Sequence, residues 1–441
     1  MARGVKKDKA VLTPEEKLAQ ALVPVEAQPY PVPGNWRWVY LGNIAEIIMG
    51  QSPEGTATTD DSSYMPLIGG AADMGEIYPK ASRYTKAPTK TSQIDDTIVC
   101  IRATLGRPVF SDRVYCLGRG VASLRHYVGY KELYRYGLIN FEQYLYDNAA
   151  GTTFAQVSSN VLQNMPFPLI PFDEQQRIVD RIESLFAKLD EAKEKAQAVV
   201  DGFEDRKAAI LHKAFTGELI GLSGSGTTPL ETIVESIRIG PFGSILHKED
   251  YVSGGVPVVN PKHISNQTIM PENSVTITET KANKLSSYRL LAGDIIMGRR
   301  GEMGRSAPVT EKEQGWLCGT GSLIIRLQTG YDSSFYSQII ASQSSVQFLE
   351  ENCVGSTMKN LNEKVIRKLP VPRYTKEEQA KIIAILSRIL AKEKQAKEAA
   401  EQTITQIDTM KKAILARAFR GELGTNDPTD ESAEELLKAI L

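Results

Sequence analysis

The chain has 441 residues, a formal net charge of −1, 41% apolar and 24% charged side chains; this allows about three domains with real cores and excludes a protein that coats nucleic acid by bulk charge. No apolar run approaches the ~18 residues of a membrane helix, and the basic start, Met1 to Lys9, is not followed by a signal-peptide core, so no membrane contact and a cytoplasmic location are expected. Cys100, Cys116, Cys318 and Cys353 have neither Cys-x-x-Cys spacing nor histidine companions, and are read as reduced and mostly buried rather than metal-bound.

Residues 1–35 form an arm. Thr13-Pro14-Glu15-Glu16 has capping-box spacing with proline at the first helical position, which predicts a short helix to about Val23. The proline-rich stretch Pro24 to Pro33 then reads as an extended connector, free to lie beside the C-terminal tail or to reach a partner. A first globular segment, 36–165, opens at Trp36-Arg37-Trp38. Its short apolar runs (Val39 to Leu41, Met65 to Ile68, Thr97 to Ile101) alternate with Gly, Pro and polar turns, and a helical stretch is expected around Glu132 to Asn148. That mixture predicts an α+β domain with a curved sheet.

Residues 166–219 follow, and their pattern returns without a gap at 370–423. Pro166-Phe167-Pro168 matches Pro370-Val371-Pro372, Glu174-Gln175 matches Glu378-Gln379, and Ala214-Phe215-Thr216-Gly217-Glu218-Leu219 matches Ala418-Phe419-Arg420-Gly421-Glu422-Leu423. Twenty of the 54 aligned positions are identical, against roughly three expected by chance. Each copy predicts one long helix. In the first, Ile178, Leu185, Ala192 and Val199 interleave with Ile182, Leu189, Ala196, Phe203 and Ile210 at steps of four and three. In the second, Ile382, Ile389, Ala396, Thr403 and Met410 interleave with Leu386, Glu393, Ala400, Ile407 and Ile414, a weaker seam in which Glu393 reads as a register device. Thr375 with Glu378, and Asp173 with Gln176, have capping spacing, and Gly217 and Gly421 end the helices. A helix over about 174–213 would be ~60 Å long.

Residues 220–228 read as a Gly/Ser-rich linker, 229–369 as a second globular segment and 424–441 as a tail ending in an amphipathic turn. The second segment repeats the first at anchors: Asp96 to Arg107 aligns with Asp294 to Arg305, Tyr64 to Ile68 with Gly255 to Val259, and Asn148 to Thr153 with Asn352 to Thr357. Between the anchors the sequences diverge, which implies one scaffold with two different surfaces. Charge stays balanced, with 12 basic and 12 acidic side chains over 36–165 and 15 and 14 over 228–369, so nucleic-acid binding would come from local arrangement or a partner. If the helices pack through their seams they run antiparallel, with the globular segments at opposite ends about a pseudo-two-fold axis.

No catalytic signature is present. The chain lacks a phosphate loop, Gly-x-Gly-x-x-Gly after a strand, His-Glu-x-x-His, Gly-x-Ser-x-Gly and the Asn/Asp-Pro-Pro-Tyr/Phe of amino-methyltransferases. His126, His247 and His263 have no partners at ligand spacing, and His212 reads as a cation at a helix C-terminus. A reader or a scaffold fits better than a catalyst.

Two divergent globular segments, each followed by P-x-P, EQ, a long helix and AF-x-GEL, resemble the DNA-specificity (S) subunits of type I restriction-modification systems over nearly the whole chain. The resemblance implies two α/β target recognition domains, each reading one half of a split asymmetric sequence in double-stranded DNA. It further implies that the helices act as a ruler and dock two modification (methyltransferase) subunits, which restriction (translocase and nuclease) subunits join. S-adenosylmethionine and ATP/Mg then belong to those partners, and this chain has no cofactor. The alternative is a non-catalytic protein-interaction scaffold. Loops after shared strands are the expected readers: Gly70 and Asp73 after the first Pro-Leu-Ile run, and Asn260, Lys262 and His263 at the matching place. Arg102 and Arg107, matched by Arg300 and Arg305 with Arg299 beside them, suit phosphate contacts because they occur in both copies, against the bland reading of solvated surface ion pairs. Lys359 and Asn360 are weaker candidates.

Overall fold

The computed structural model describes residues 13–151, 155–222, 226–241, 245–353 and 361–441. Contacts divide it into two compact units, Met1–Lys195 with Thr403–Leu441, and Ala196–Gln402. Unit 1 runs α1 (Pro14–Ala21), β1 (Arg37–Tyr40), β2 (Ala45–Met49), β3 (Thr58–Thr59), β4 (Met65–Ile68), β5 (Arg83–Thr85), β6 (Thr97–Arg102), β7 (Thr104–Phe110), β8 (Cys116–Leu117), β9 (Val121–His126), α2 (Lys131–Asn140), α3 (Glu142–Asp147), α4 (Ser159–Gln163), β10 (Pro166–Leu169) and most of α5 (Phe172–Asp201). Unit 2 holds α6 (Phe203–Phe215), β11 (Thr227–Pro229), β12 (Val234–Ile239), β13 (Tyr251–Val252), β14 (Val256–Val259), β15 (Ile264–Ser265), β16 (Thr268–Ile269), β17 (Thr276–Ile277), α7 (Glu279–Lys284), β18 (Asp294–Gly298), β19 (Ser306–Pro308), β20 (Leu317–Cys318), β21 (Ser322–Leu327), α8 (Ser333–Ile340), α9 (Gln343–Asn352), α10 (Glu363–Arg367), β22 (Pro370–Pro372) and most of α11 (Lys376–Ala418). The end of α11 and α12 (Ala433–Lys438) belong to unit 1.

The two units have one topology. Unit 1 contains sheets ordered β2-β9-β6-β7 and β3-β5-β4-β8, and unit 2 contains β12-β21-β18-β19 and β13-β17-β14-β20. In each, a short antiparallel pair closes the globular part: β1 on β10, and β11 on β22. A buried carboxylate sits at the same point of both first sheets. Asp96 accepts from Ser123 Oγ (3.0 Å), Arg125 Nε (3.2 Å) and the Gln93 N–H (2.8 Å), while Asp294 accepts from Arg326 Nε (2.8 Å) and the Leu291 N–H (2.9 Å). Buried charge persists only when so paired and hydrogen-bonded.

The repeated Glu-Gln has a physical cause in its glutamine. Gln175 accepts from the Tyr130 N–H (3.0 Å) and donates to the Ile170 carbonyl (2.8 Å). Gln379 accepts from the Asp332 N–H (2.8 Å) and donates to the Tyr374 (2.8 Å) and Gly330 (3.1 Å) carbonyls. Each clamps the start of a long helix to its globular part. The glutamates differ. Glu378 completes the capping box with Thr375, whereas Glu174 is fully buried and accepts from Trp36 Nε1 (2.7 Å), Thr425 Oγ1 (3.1 Å) and Asn426 Nδ2 (2.8 Å).

Within each unit the helices pair antiparallel. In unit 1 Lys411 lies over the Phe186 ring and bonds Asp190, and Lys193 bonds Asp408 at 2.7 Å. In unit 2 Lys397 lies over Phe203, and the half-buried Glu393 pairs with Arg206 at 2.7 Å.

The first helix departs from the expected single rod, because α5 stops at Asp201 and α6 resumes at Phe203. Gly202, where the second copy has Gln406, is the poorest non-proline helix former, and Arg206 Nη2 takes up the Val199 carbonyl beside the break at 2.8 Å. The predicted seam is also too wide. Ile182, Ala196, Leu386, Ala400 and Ile407 are buried, but Ala192, Ala396, Thr403 and Met410 are exposed, since a pair of helices covers only one narrow stripe. Asp173 makes no cap; Glu174 and Gln175 instead donate their N–H groups to the Pro171 carbonyl.

The arm and the tail meet in unit 1. The Thr13 capping box forms as expected, Lys17 Nζ bonds the Leu441 carbonyl at 2.7 Å, Arg37 pairs with Glu434 at 3.0 Å, and the Ala433 N–H donates to the Asn35 carbonyl at 2.9 Å. Residues 227–229, placed at the linker boundary from sequence, are paired strand. Cys353 is half-buried, unlike the other three cysteines. Among the described residues no helix is long and apolar enough to cross a membrane.

Candidate nucleic-acid interface

In unit 1, β4 and β8 run parallel, with Leu67 beside Cys116 and Ile68 beside Leu117, so the loops that follow them leave on the same side. The Gly118 N–H donates to the Ile68 carbonyl (2.8 Å), the Gln51 N–H to the Leu117 carbonyl (2.8 Å) and the Arg119 N–H to Ser52 Oγ (3.2 Å). A Cβ on Gly50 would lie 2.1 Å from the Gly118 oxygen, and one on Gly120 2.1 Å from the Gly69 oxygen. The loops at 50–52, 69–70 and 118–120 therefore lock together backbone to backbone, and the glycines are required by close approach. Arg119, at the middle of the Gly-x-Gly turn, is exposed there.

The predicted residues beside this junction divide by role. Gly70 is in the loop itself. Asp73 is buried and accepts from the Gly69 N–H at 2.6 Å, with Arg83 at 3.9 Å. Arg107 donates to the Ala71 (3.1 Å) and Met74 (3.4 Å) carbonyls. Asp73 and Arg107 thus shape the loop from behind. Arg102 lies apart, half-buried at the end of β6, where its backbone bridges Gln156.

Unit 2 repeats the junction with other side chains. Here β14 and β20 are the parallel pair, the Gly319 N–H donates to the Val259 carbonyl (2.9 Å), and a Cβ on Gly240 would lie 2.0 Å from the Gly319 oxygen. Thr320 stands where unit 1 has Arg119. Asn260 and His263 form a reciprocal cap over the turn Pro261–His263, the Asn260 N–H donating to His263 Nδ1 at 3.1 Å. His263 is buried, and burial holds its pKa below the usual imidazole range although Glu272 at 3.6 Å opposes this. Lys262 is exposed and pairs with Glu272 at 2.6 Å. Arg305 donates to the Pro261 carbonyl (3.1 Å) and bonds Glu302, the same clasp as Arg107.

Arg299 and Arg300 occupy the turn after β18. The Arg299 Nε is buried with no hydrogen-bond partner among the described residues, and burial first, then neighbouring Arg300, lowers the guanidinium's pKa. An orphan donor next to a second, exposed cation has the chemistry to hold an anion. Lys359 and Asn360 lie outside the described residues.

A family model described as the type I restriction modification DNA specificity domain matches the chain twice, over residues 33–200 and 239–406. The chain belongs to this specificity family. Relatives include the type I restriction enzyme MjaX specificity subunit of Methanocaldococcus jannaschii, 27% identical over 195 residues, 43% of this chain and 44% of that one. The EcoBI specificity subunit of Escherichia coli is 21% identical over 315 residues, 66% of each chain. The matches to these two relatives span 44% and 66% of their lengths. In fold, the HsdS subunit from Thermoanaerobacter tengcongensis is similar with a TM-score of 0.59 at 19% identity, covering 89% of this chain and 99% of that one. A chain from a study of complex assembly and conformational transition of the type I R-M system scores 0.62 at 19% identity, covering 89% and 100%.

For this specificity-family chain, sequence reasoning found the loops after β4 and β14 but missed the Gly-x-Gly turns 118–120 and 319–321 that lock them. The available signal was the glycine pair in both copies, separated by a residue that differs.

Proposed function

We propose that the chain is the non-catalytic, sequence-specific DNA-binding subunit of a type I restriction-modification complex. Each unit reads one half of a bipartite asymmetric target through its glycine-locked loop junction. The long helices serve as spacer and dock two modification (methyltransferase) subunits, and restriction subunits join that assembly. S-adenosylmethionine and ATP/Mg are used by those partners, and the chain works in the cytoplasm. The observation that carries this reading is that the same rigid junction occurs twice while the side chain at its apex changes from Arg119 to Thr320. Arginine can bond guanine O6 and N7 together, which threonine cannot. Arg299 and Arg300 suit the phosphate backbone, and Asp73, Arg107, His263 and Arg305 hold loops in shape.

The test assembles the chain with its modification subunits and maps methylated sequences. Arg119→Ala is expected to relax one half of the target at about 1–3 kcal/mol per lost base contact and leave the other half unchanged; Arg299→Ala is expected to weaken all sequences alike and reduce the slope of log K against log salt by about one. Relaxation of both halves by Arg119→Ala, or of neither, would overturn the assignment of readers.

A further inference from the structure

The duplication allows the two units to be compared position by position, and at one place they differ in what covers them. In unit 1 the proline-rich connector lies over Trp38, Phe141 and Arg420. Tyr30 meets Trp38 edge-on with centroids 5.0 Å apart, stacks on Phe141 at 6.4 Å and lies 5.1 Å beneath the Arg420 guanidinium. Trp38 Nε1 donates to the Tyr30 carbonyl at 3.0 Å. In unit 2 strand register puts Thr227, paired with Pro372, where Trp38 pairs with Pro168. The 204-residue repeat puts Phe215 and Thr216 where Phe419 and Arg420 stand, and Ala341 and Ser342 between α8 and α9 take the place of Phe141 between α2 and α3. An open groove of about 810 Å³ lies there, lined by Phe215, Thr216, Thr227, Ser342 and Pro370 among others.

We propose that this groove of unit 2 docks a proline-flanked segment of a partner protein that presents an aromatic side chain, as Pro24 to Pro33, which makes one tight helical turn at Val25–Ala27, does in unit 1. The apolar floor is kept, since Phe215, Pro370 and Pro372 equal Phe419, Pro166 and Pro168, while the three groups around Tyr30 shrink to Thr, Thr and Ser or Ala. The volume falls in the ~300–1,000 Å³ range of sites that bury a ligand. The chain does not supply the occupant in the way unit 1 does. Where Pro24 to Pro33 precedes β1, the stretch before β11 is Gly221-Leu222-Ser223-Gly224-Ser225-Gly226, with no ring at all. A second copy has its own connector engaged, the Val23 N–H donating to the Trp38 carbonyl at 2.9 Å.

The experiment titrates a fluorescein-labelled peptide of residues Val23 to Gly34 with the full chain, followed by anisotropy. Saturable one-to-one binding is expected, weakened about tenfold or more by Tyr30→Ala in the peptide and by Ser344→Trp or Gln343→Trp in the full chain, two lining positions with no counterpart among the groups that hold Tyr30 in unit 1. Both groove positions are exposed, and melting curves identify any variant that misfolds, leaving the other to decide. No binding to the wild-type chain would overturn the proposal. So would equal binding by both groove variants, because the peptide would then be exchanging with the connector of unit 1. A peptide-competed dimer of the full chain would replace the partner with a second copy and likewise overturn it. The outcome is independent of whether the loop junctions read DNA.

Discussion

At the scale of single residues, the two copies act as controls for each other. The turn after β6 places Ala103 at φ 64° where the turn after β18 has Gly301 at φ 82°. A left-handed alanine costs ~1–2 kcal/mol and glycine's extra unfolded freedom ~0.5–1 kcal/mol. Ala103→Gly is therefore expected to raise stability by about 0.5–1 kcal/mol, and Gly301→Ala to lower it by a similar amount, both read from denaturant midpoints. His263 gives a pH dependence. Burial lowers its folded pKa, so the unfolded chain takes up the proton first as pH falls. The contribution is fully present above about pH 6.5 and is lost as pH drops from there toward the folded value. His263→Gln should flatten the fall in melting temperature between about pH 6.5 and 5; Glu272 and Lys262, which face the ring, stay as they are. An unchanged slope would show that His263 does not titrate differently on unfolding.

At the scale of elements, the junction between helix and globular part depends on one amide in each copy. Gln379 is 1% exposed and satisfies a backbone donor and two backbone acceptors. Truncating it leaves the buried Tyr374 carbonyl unpaired and removes the tie to the Gly330 and Asp332 backbone, so Gln379→Ala is expected to destabilise by about 1–3 kcal/mol, and Gln175→Ala similarly. Glu378→Ala, which removes only an exposed cap, should cost about 0.5–1 kcal/mol. Equal losses for Gln379→Ala and Glu378→Ala would mean that the clamp contributes no more than the cap. The helices themselves illustrate how composition decides continuity: Gln406 lets α11 run unbroken where Gly202 interrupts the first copy.

At the scale of the whole molecule, residues 13–37 and 424–441 are one structure in unit 1. Ala433 and Leu437 are fully buried, and Glu174 holds Trp36, Thr425 and Asn426 at one carboxylate. Deleting residues 424–441 removes the burial of Leu437 against the unit 1 core, at about 1.5–3 kcal/mol, and leaves Glu174 partly unpaired, at about 1–3 kcal/mol. Hydrogen exchange should accordingly show faster opening throughout unit 1, with unit 2 amides unchanged. Acceleration confined to the neighbourhood of residues 13–37 would instead make the tail a local strap. The balanced charge of each segment predicts that any DNA binding by the isolated chain is weak, that it strengthens when the modification subunits proposed above are added, and that it is steeply reduced by salt.

The duplication, the long helices, the capped arm and the places of the loops after β4 and β14 are legible in the order of residues. Those features are written in local or periodic signals: proline and glycine placement, heptad steps, and a repeat spaced by 204 residues. Tertiary structure alone decided which seam positions are covered, that Asp73 and His263 are spent on their own backbone, and that Arg119 and Thr320 stand at the apex of the locked loops. It also decided that Tyr30 fills in one unit a place left open in the other. The physical reason is that burial and close backbone approach join residues far apart in the chain, and no local pattern records a neighbour that arrives from elsewhere.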